Sequence, residues 1–391
     1  MGHVNARSAF FILPFKGRTE VGMGNMKPPA SILVVVTRRI GDVLLTTPLI
    51  RSLRRAWPDT AIDVLVFAGS EGVLAANPDI RRVLTIAERP RWREHFSLCA
   101  KIARRYAVAL SVVPSDRPTL YAWLAGRWRA GLVVDEPKHR WKTHLLQRWA
   151  PFDNRNTHTV LMHLALAGTL DIAPRYDVVA AWRENDRSEL AQQLPFALTE
   201  PYAVLHTFPK FNYKMWRHEA WIEVAQWLQA RDLHIVLSGG GDADERDYVD
   251  ALARRISCAV DLTGKLTLSQ VACLLAHARA YAGPDTAVTH MAAALGIPVV
   301  TLYGPTDPVK WGPWPANYSR AVNPWQRLGT QHVNNVTLIQ GNAACAPCFN
   351  EGCGRHVASF SDCLQQLPAS KVIAALHAAL GASGLPGAIH G

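Results

Sequence analysis

The chain has 391 residues, 49% hydrophobic and 19% charged, with a formal net charge of +11. That is an ordinary globular composition long enough for two domains, and no apolar stretch reaches the ~18–20 residues that a helical membrane span requires. The charge is uneven: residues 1–200 hold 28 Lys and Arg against 18 Asp and Glu, whereas residues 201–391 hold 14 against 13.

Residues 1–29 carry one short apolar run, AFFILPF, interrupted by Pro14 and lacking a small-residue cleavage site. It reads as a disordered extension rather than a secretory signal, which leaves the protein in the cytoplasm. The first strand is ILVVV (32–36), apolar throughout as in a parallel strand covered on both faces. TRRIGD follows, then a helix with Pro48 in its first turn and Thr46 or Thr47 as cap. AIDVLVF (61–67), RRVLTI (81–86) and AVALSVVP (107–114) read as further strands, with a helix around VLAANP. Between Arg81 and Arg148, Arg and Lys recur with Trp and Tyr between them. This is either a solvated basic face or a surface for an anionic partner such as nucleic acid, lipid head groups or a phosphorylated glycan.

Residues 115–200 are less regular and read as the segment between domains. The strand–helix rhythm then resumes: YAVLHTF, LHIVLSGGG, CAVDLTG, AYAGP and VVTLY are strands, separated by helical patterns. Repeated β-α alternation predicts parallel sheets with crossover helices. Two such domains in tandem form a cleft, with ligands beyond the carboxyl ends of the strands.

Four strand-end loops carry candidate chemistry. In IGD (40–42), Asp42 reads either as a helix cap or as a catalytic carboxylate. In LHTFPKFNYKMW (205–216), His206, Thr207, Lys210 and Lys214 are placed to meet phosphate oxygens. SGGGDADE (238–245) is a glycine turn into an acidic helix start. In GPDTAVTHMAAALG (283–296), a helix beginning at Asp285–Thr286 offers free backbone N–H groups of Thr286, Ala287 and Val288 as a phosphate site. The bland reading of the same residues is Asp285 as an N-cap and His290 as core. No G-x-G-x-x-G, phosphate-loop lysine motif or nucleophile elbow is present, so dehydrogenase, P-loop and α/β-hydrolase chemistry have no support.

Taken together, GDVLLTTP, the His206-to-KMW segment, SGGG, LTGKLTL (262–268), GPDTAVTH followed by AAALGIP, and GPTDPVKWGP (304–313) resemble family 9 glycosyltransferases, the bacterial lipopolysaccharide heptosyltransferases. The resemblance spans roughly residues 32–380. It departs from the family at Ala287, where Gly is usual, and at Thr207-Phe208, where Pro-Gly is usual. It implies a GT-B fold, two Rossmann-like β/α/β domains facing each other across a cleft. The domains would be 30–185 for the acceptor and 186–365 for the donor, with a helix in 366–391 packing back on the first.

The activity implied is inverting transfer of a heptose from an ADP-sugar to the inner core of a lipid A-linked oligosaccharide, at the cytoplasmic face of the inner membrane. No cofactor would be required, and nucleic acid is not a partner because its usual binding motifs are missing. Residue by residue, the resemblance makes Asp42 the general base. It puts Thr207, Lys214, Glu245, Asp285, Thr286, Ala287 and His290 on the donor, and Arg38, Arg39, Gly41 and Thr46 on the acceptor side. Alternatives are a related transferase with another nucleotide-sugar or a protein acceptor, or a non-catalytic binding protein of the same fold.

Four late cysteines, Cys345, Cys348, Cys353 and Cys363, are spaced C-x2-C-x4-C-x9-C. In a cytoplasmic chain they read either as free thiols or as ligands of a structural zinc or iron ion.

Overall fold

The computed structural model describes residues 27–382; most of the 1–29 extension and the end of the tail therefore lie outside the described residues. The apolar runs form strands, and the strands assemble into two sheets. The first contains β1 (Ser31–Val36), β2 (Ala61–Phe67), β3 (Arg82–Ile86), β4 (Tyr106–Ser111), β5 (Gly126–Val133) and β6 (Arg148–Pro151). Its order is β3-β2-β1-β4-β5-β6, with every neighbouring pair parallel. The second contains β7 (Tyr202–His206), β8 (His234–Ser238), β9 (Val260–Asp261), β10 (Ala280–Pro284), β11 (Val299–Tyr303), β12 (Gln331–Val333) and β13 (Val336–Gln340). Its order is β12-β13-β11-β10-β7-β8-β9, with the antiparallel β12 added at one edge. Without β12, the second sheet repeats the order of the first.

Parallel strands need crossover helices, which cover both faces of the sheet. The first lobe uses α1 (Ile40–Leu44), α2 (Thr47–Ala56), α3 (Trp92–Ile102), α4 (Asp116–Ala125) and α5 (Thr159–Thr169). The second uses α6 (Glu184–Ala191), α7 (His218–Gln229), α8 (Ala243–Ala253), α9 (Leu268–His277), α10 (Ala287–Ala294), α11 (Pro308–Trp311), α12 (Asp362–Gln365) and α13 (Ala369–Ala382). Leu33, Val35 and Leu65 form a small separate core with Leu98, Ile102 and Tyr121 from α3 and α4. On the opposite face, Val34, Leu49 and Leu166 join an apolar cluster that runs on into Val271 and Met291 of the second lobe. The lobes are thus joined by continuous packing. Among the described residues no helix is long and apolar enough to cross a membrane.

Three expectations are corrected. Residues 115–200 are not irregular, since they supply α4, β5, β6 and α5. β5 escapes a periodicity reading because it starts at Gly126, straight off the end of α4, and carries Arg127 and Arg129. Gly126 is needed there because a Cβ would lie 2.6 Å from that of Ala109 on β4. Around VLAANP there is only a short 3-10 turn, Glu71–Leu74. Finally, α13 does not pack on the first lobe. Its stripe of Ala369, Val372 and Leu376 is buried in the second-lobe core, against α7 and the β10, β11 and β13 strands.

Each sheet reverses its strand order between its first and fourth strands, at β1/β4 and at β7/β10. Ligands of such sheets bind beyond the strand ends at that reversal.

Candidate active site

Asp42 emerges from the end of β1, in the first turn of α1. It is not the cap of that helix; Arg39 holds the N-cap position. Its carboxylate is 14% exposed and its nearest cation is the Arg38 Nε at 3.7 Å, too long for a strong ion pair. Burial raises its pKa from the usual aspartate value, opposed by the charges of Arg38, then Lys310, then Arg39. The result is a sheltered, loosely paired carboxylate, the arrangement expected of a base rather than a structural ion pair.

The turn is braced from behind. Thr46 donates to the Asp42 carbonyl oxygen at 2.9 Å and meets His163 Nδ1 at 3.1 Å. Thr46 has no exposed surface, so its expected place on the acceptor side is corrected: it holds the Asp42 turn and cannot reach an acceptor. Arg38 and Arg39 do face outward, and the Arg39 guanidinium stacks 4.7 Å above the ring of Phe211 from the second lobe. Gly41 explains how close the lobes come. A Cβ there would lie 3.6 Å from His290 Cδ2 and 4.0 Å from the Ala287 Cα. The base-bearing turn is thus seated against the start of α10.

On the second lobe, β7 ends at His206 and β10 at Pro284, side by side in the sheet. Asp285 follows β10 and is 7% exposed. Lys214 donates to its Oδ2 at 2.5 Å and to its carbonyl oxygen at 3.3 Å, and the Tyr303 hydroxyl stands 3.2 Å from Oδ1 and 2.6 Å from the Trp311 carbonyl oxygen. Asp285 is therefore no N-cap. Thr286 caps α10, its hydroxyl accepting from the Thr289 N–H at 3.4 Å. The remaining first-turn N–H groups of α10 lie beside Asp42's turn and carry the helix's partial positive charge.

Several buried polar atoms around this point have no partner: Thr207 Oγ1 past β7, Thr263 Oγ1 past β9, and His290 Nδ1 on α10. Buried polar atoms are normally paired, so the unspent ones among the described residues at the reversal itself, on Thr207 and His290, fit a site that receives a polar ligand. His290 is buried, which drives its pKa down to about 4, and its Nε2 stands 3.9 Å from Asp285 Oδ1. His206 is likewise held neutral, down to about 4 by burial, with Nδ1 3.2 Å from Ser238 Oγ. Glu245 folds back over the glycine turn, accepts from the Gly240 N–H, and has its pKa raised by burial. Lys210 is exposed.

The cysteines gather elsewhere, behind α12. Burial, and then Cys348, Cys345 and Cys353, push the Cys363 thiol up to about 12. Cys353 Sγ accepts from the Asp362 N–H at 3.3 Å. Among the described residues no three His, Cys, Asp or Glu side chains converge to hold a metal ion. The thiols are neighbours of one another, close enough for three of them to act on the fourth.

Lys310, which no motif singled out, is the residue that sequence reading missed. It lies in α11 beyond β11, is 3% exposed, and is among the charges that act on Asp42. The variable middle of GPTDPVKWGP gave no signal of it.

Comparison with known proteins agrees with this geometry. The model of glycosyltransferase family 9 (heptosyltransferase) matches residues 120–340. The chain is 29% identical over 308 residues to lipopolysaccharide heptosyltransferase 3 of Escherichia coli K12, covering 75% of this chain and 88% of that one. It is 28% identical over 317 residues to lipopolysaccharide heptosyltransferase 1 of Salmonella typhimurium, covering 78% and 98%. Among solved structures it is similar to the E. coli ADP-heptose lps heptosyltransferase II, with TM-score 0.70 at 21% identity over 91% of this chain and 100% of the other. The fold is GT-B, as its two Rossmann-like lobes and that likeness show.

Proposed function

The chain belongs to glycosyltransferase family 9, and from that premise we propose that it is an inverting heptosyltransferase of lipopolysaccharide core assembly, with an ADP-heptose donor. The observation that carries the reading is the Gly41–Asp42 turn seated against the α10 N-terminus, a near-free carboxylate of one lobe meeting the cationic, N–H-rich strand ends of the other. The names of the relatives, lipopolysaccharide heptosyltransferases, support the sugar and the pathway. The name of the similar solved structure supports an ADP-heptose donor.

In the proposed step, an acceptor hydroxyl oxygen attacks the anomeric carbon from the face opposite ADP. Asp42 takes the hydroxyl proton as the new C–O bond forms. The bond to ADP breaks with its electron pair on the diphosphate, and the configuration inverts. Lys214 and the first N–H groups of α10 stand where that negative charge collects and are already oriented to receive it. Thr207, Glu245, Asp285, Thr286, Ala287 and His290 line the donor side of the same strand ends, and Arg38 and Arg39 the acceptor side. With these groups bearing the charge, the step as proposed runs without a divalent cation, and undiminished turnover in EDTA is the expected check.

The acceptor reading, an anionic lipid A-linked core sugar, draws on charge. Arg38, Arg39 and Lys310 surround one carboxylate. Elsewhere on the first lobe, residues 89–105 hold six cations against Glu94 alone. In the same stretch Trp92 and Phe96 are each 67% exposed. An aromatic and basic face of this kind suits peripheral contact with an anionic membrane. The test of the function is direct. Purified protein incubated with ADP-heptose and core-truncated lipooligosaccharide should add one heptose by mass spectrometry. No mass gain with any truncated acceptor, or gain from a different nucleotide-sugar alone, rejects the reading.

A further inference from the structure

The first lobe has a second concave surface, at the end of its sheet that faces away from Asp42. A groove of about 700 Å³ opens there, lined by Arg81 and Arg82 at the start of β3, by Ala100 and Lys101 on α3, and by Arg105 and Tyr106 at the start of β4. Parallel strands all start at one edge of the sheet and end at the other, and Asp42 follows the end of β1. The seven residues of β2 set the two edges roughly 20 Å apart. The groove is therefore no part of the donor or acceptor site.

Its floor accounts for its charge. Asp63, which has no exposed surface, accepts from Arg81 at 2.7 Å, from Arg82 at 2.9 Å and from the Tyr106 hydroxyl at 2.8 Å. Both guanidinium groups are thereby fixed at the groove while their side chains stay 51% and 59% exposed. Lys101 and Arg105 are exposed and form no salt bridge among the described residues. Four cations thus line one groove with a single carboxylate, already spent on two of them. The helix that carries Lys101 is held to the sheet by Leu98 and Ile102 instead. The volume is that of a small-ligand site, and guanidinium groups fixed in direction suit phosphate oxygens.

The same helix shows where such a phosphate comes from. Trp92 and Phe96, each 67% exposed, meet edge to face with ring centres 6.1 Å apart. With Ala100 they form one row at i, i+4 and i+8, so exposed aromatic surface runs straight into the groove. The Arg93 guanidinium covers the Trp92 ring at 5.2 Å. Rings beside cations match the boundary of an anionic bilayer, where aromatic surface meets the acyl chains and cations meet the phosphates. A soluble anion would gain nothing from the rings.

We propose that this groove binds the headgroup phosphate of an anionic lipid, held by Arg82, Lys101 and Arg105 while Trp92 and Phe96 enter the bilayer interface beside it. The site deepens the membrane contact read from the α3 face and rests on that reading, independently of Asp42 and the transfer step.

The experiment is sedimentation of the full chain with phosphatidylcholine vesicles, with and without phosphatidylglycerol. One variant is Lys101→Ala with Arg105→Ala. The other, Arg231→Ala with Arg320→Ala, removes the same charge from exposed positions of the second lobe. At about fivefold per cation, the groove pair should weaken binding to the anionic vesicles about 25-fold and the second-lobe pair less than about threefold. Equal losses in the two pairs assign binding to net charge and overturn the site, as does unchanged binding by the folded groove pair. Inorganic phosphate at constant ionic strength should leave the protein on the vesicles; full release assigns the groove to a soluble phosphate and overturns the lipid. Turnover on a delipidated acceptor should match wild type in both pairs, and a loss confined to the groove pair ties the groove to the reaction and overturns its role. Binding lost in Trp92→Ala with Phe96→Ala but kept in the groove pair rejects the groove alone. Wild-type protein that ignores anionic vesicles rejects the membrane reading with it.

Discussion

The two lobes repeat one strand order, and each sets an aspartate at the point where that order reverses, yet the two carboxylates are treated in opposite ways. Asp285 is clasped by Lys214 at 2.5 Å and by Tyr303 at 3.2 Å, deep in the second lobe. Asp42 has no short side-chain ion pair, only a 3.7 Å approach from Arg38 besides a hydrogen bond to the Arg39 backbone, and its pKa is raised by burial. A carboxylate salt-bridged to a lysine is fixed in place by that charge-assisted contact. One left sheltered and loosely paired can turn toward a substrate proton. The same fold thus yields an anchor on one side of the cleft and a base on the other.

The sharpest way to break this contrast is at Asp42. Asp42→Ala should lower turnover by about 10²–10⁴-fold, the usual contribution of a general base, while ADP affinity by calorimetry stays unchanged. Its stability should not fall. A carboxyl with a raised folded-state pKa opposes folding once ionised, so removing it at neutral pH leaves the melting temperature equal or slightly higher. For the same reason the acid limb of the wild-type pH profile should lie above the ordinary aspartate range; a limb at or below it contradicts a sheltered base.

Changing the anchor should act on binding first. Lys214→Ala should weaken ADP-sugar affinity by about 10–100-fold, consistent with a charge-assisted hydrogen bond of about 1.5–3 kcal/mol. It should also destabilise the lobe, because Asp285 is left buried without its cation. Unchanged affinity would remove Lys214 from the donor site.

A third carboxylate supplies the purely structural case. Asp63, with no exposed surface on β2, is gripped by Arg81 at 2.7 Å, Arg82 at 2.9 Å and the Tyr106 hydroxyl at 2.8 Å. Burial pushes its pKa up, but the hydrogen bonds from Arg81, Tyr106 and Arg82 outweigh it and hold the carboxyl below the usual range. Asp63→Asn should cost about 2–3 kcal/mol in urea unfolding, below the full penalty for breaking a buried pair because both arginines are half-exposed. A depressed folded-state pKa contributes stability above the unfolded value that is lost on acidification, so the deficit should shrink as pH falls below the unfolded aspartate range. Turnover per folded molecule should not change.

The smallest effect on the molecule itself is expected at the basic face. Trp92→Ala with Phe96→Ala should alter stability by less than about 0.5 kcal/mol. Sedimentation with vesicles containing phosphatidylglycerol should fall, whereas turnover on a delipidated acceptor should persist. Equal sedimentation with neutral and anionic vesicles would reject the membrane reading.

Much of this was written in the chain order. Short β-branched runs such as ILVVV and VVTLY suit strands covered on both faces, and their alternation with helical stretches implies parallel sheets, hence loops that converge at the strand ends. That is why Asp42, Lys214 and Asp285 were legible as candidates: each lies in a loop or turn that follows a strand. β5 was not, because its cations and glycines suit one register against β4 rather than any intrinsic periodicity. The packing of α13 on the second lobe was equally hidden, since an apolar stripe states that a helix is buried and not against what.

What the sequence determined by itself, then, is the local grammar of strands, helices and turns, which depends on residues near one another in the chain. Only the tertiary structure decided which side chains share one small volume. It buried Thr46 behind the turn it braces, clasped Asp285 with Lys214, gathered four cysteines around α12, and carried Lys310 into the other lobe onto Asp153 and Phe152. Those outcomes depend on distances between groups far apart in sequence and on how much water is excluded between them, and no spacing along the chain encodes either.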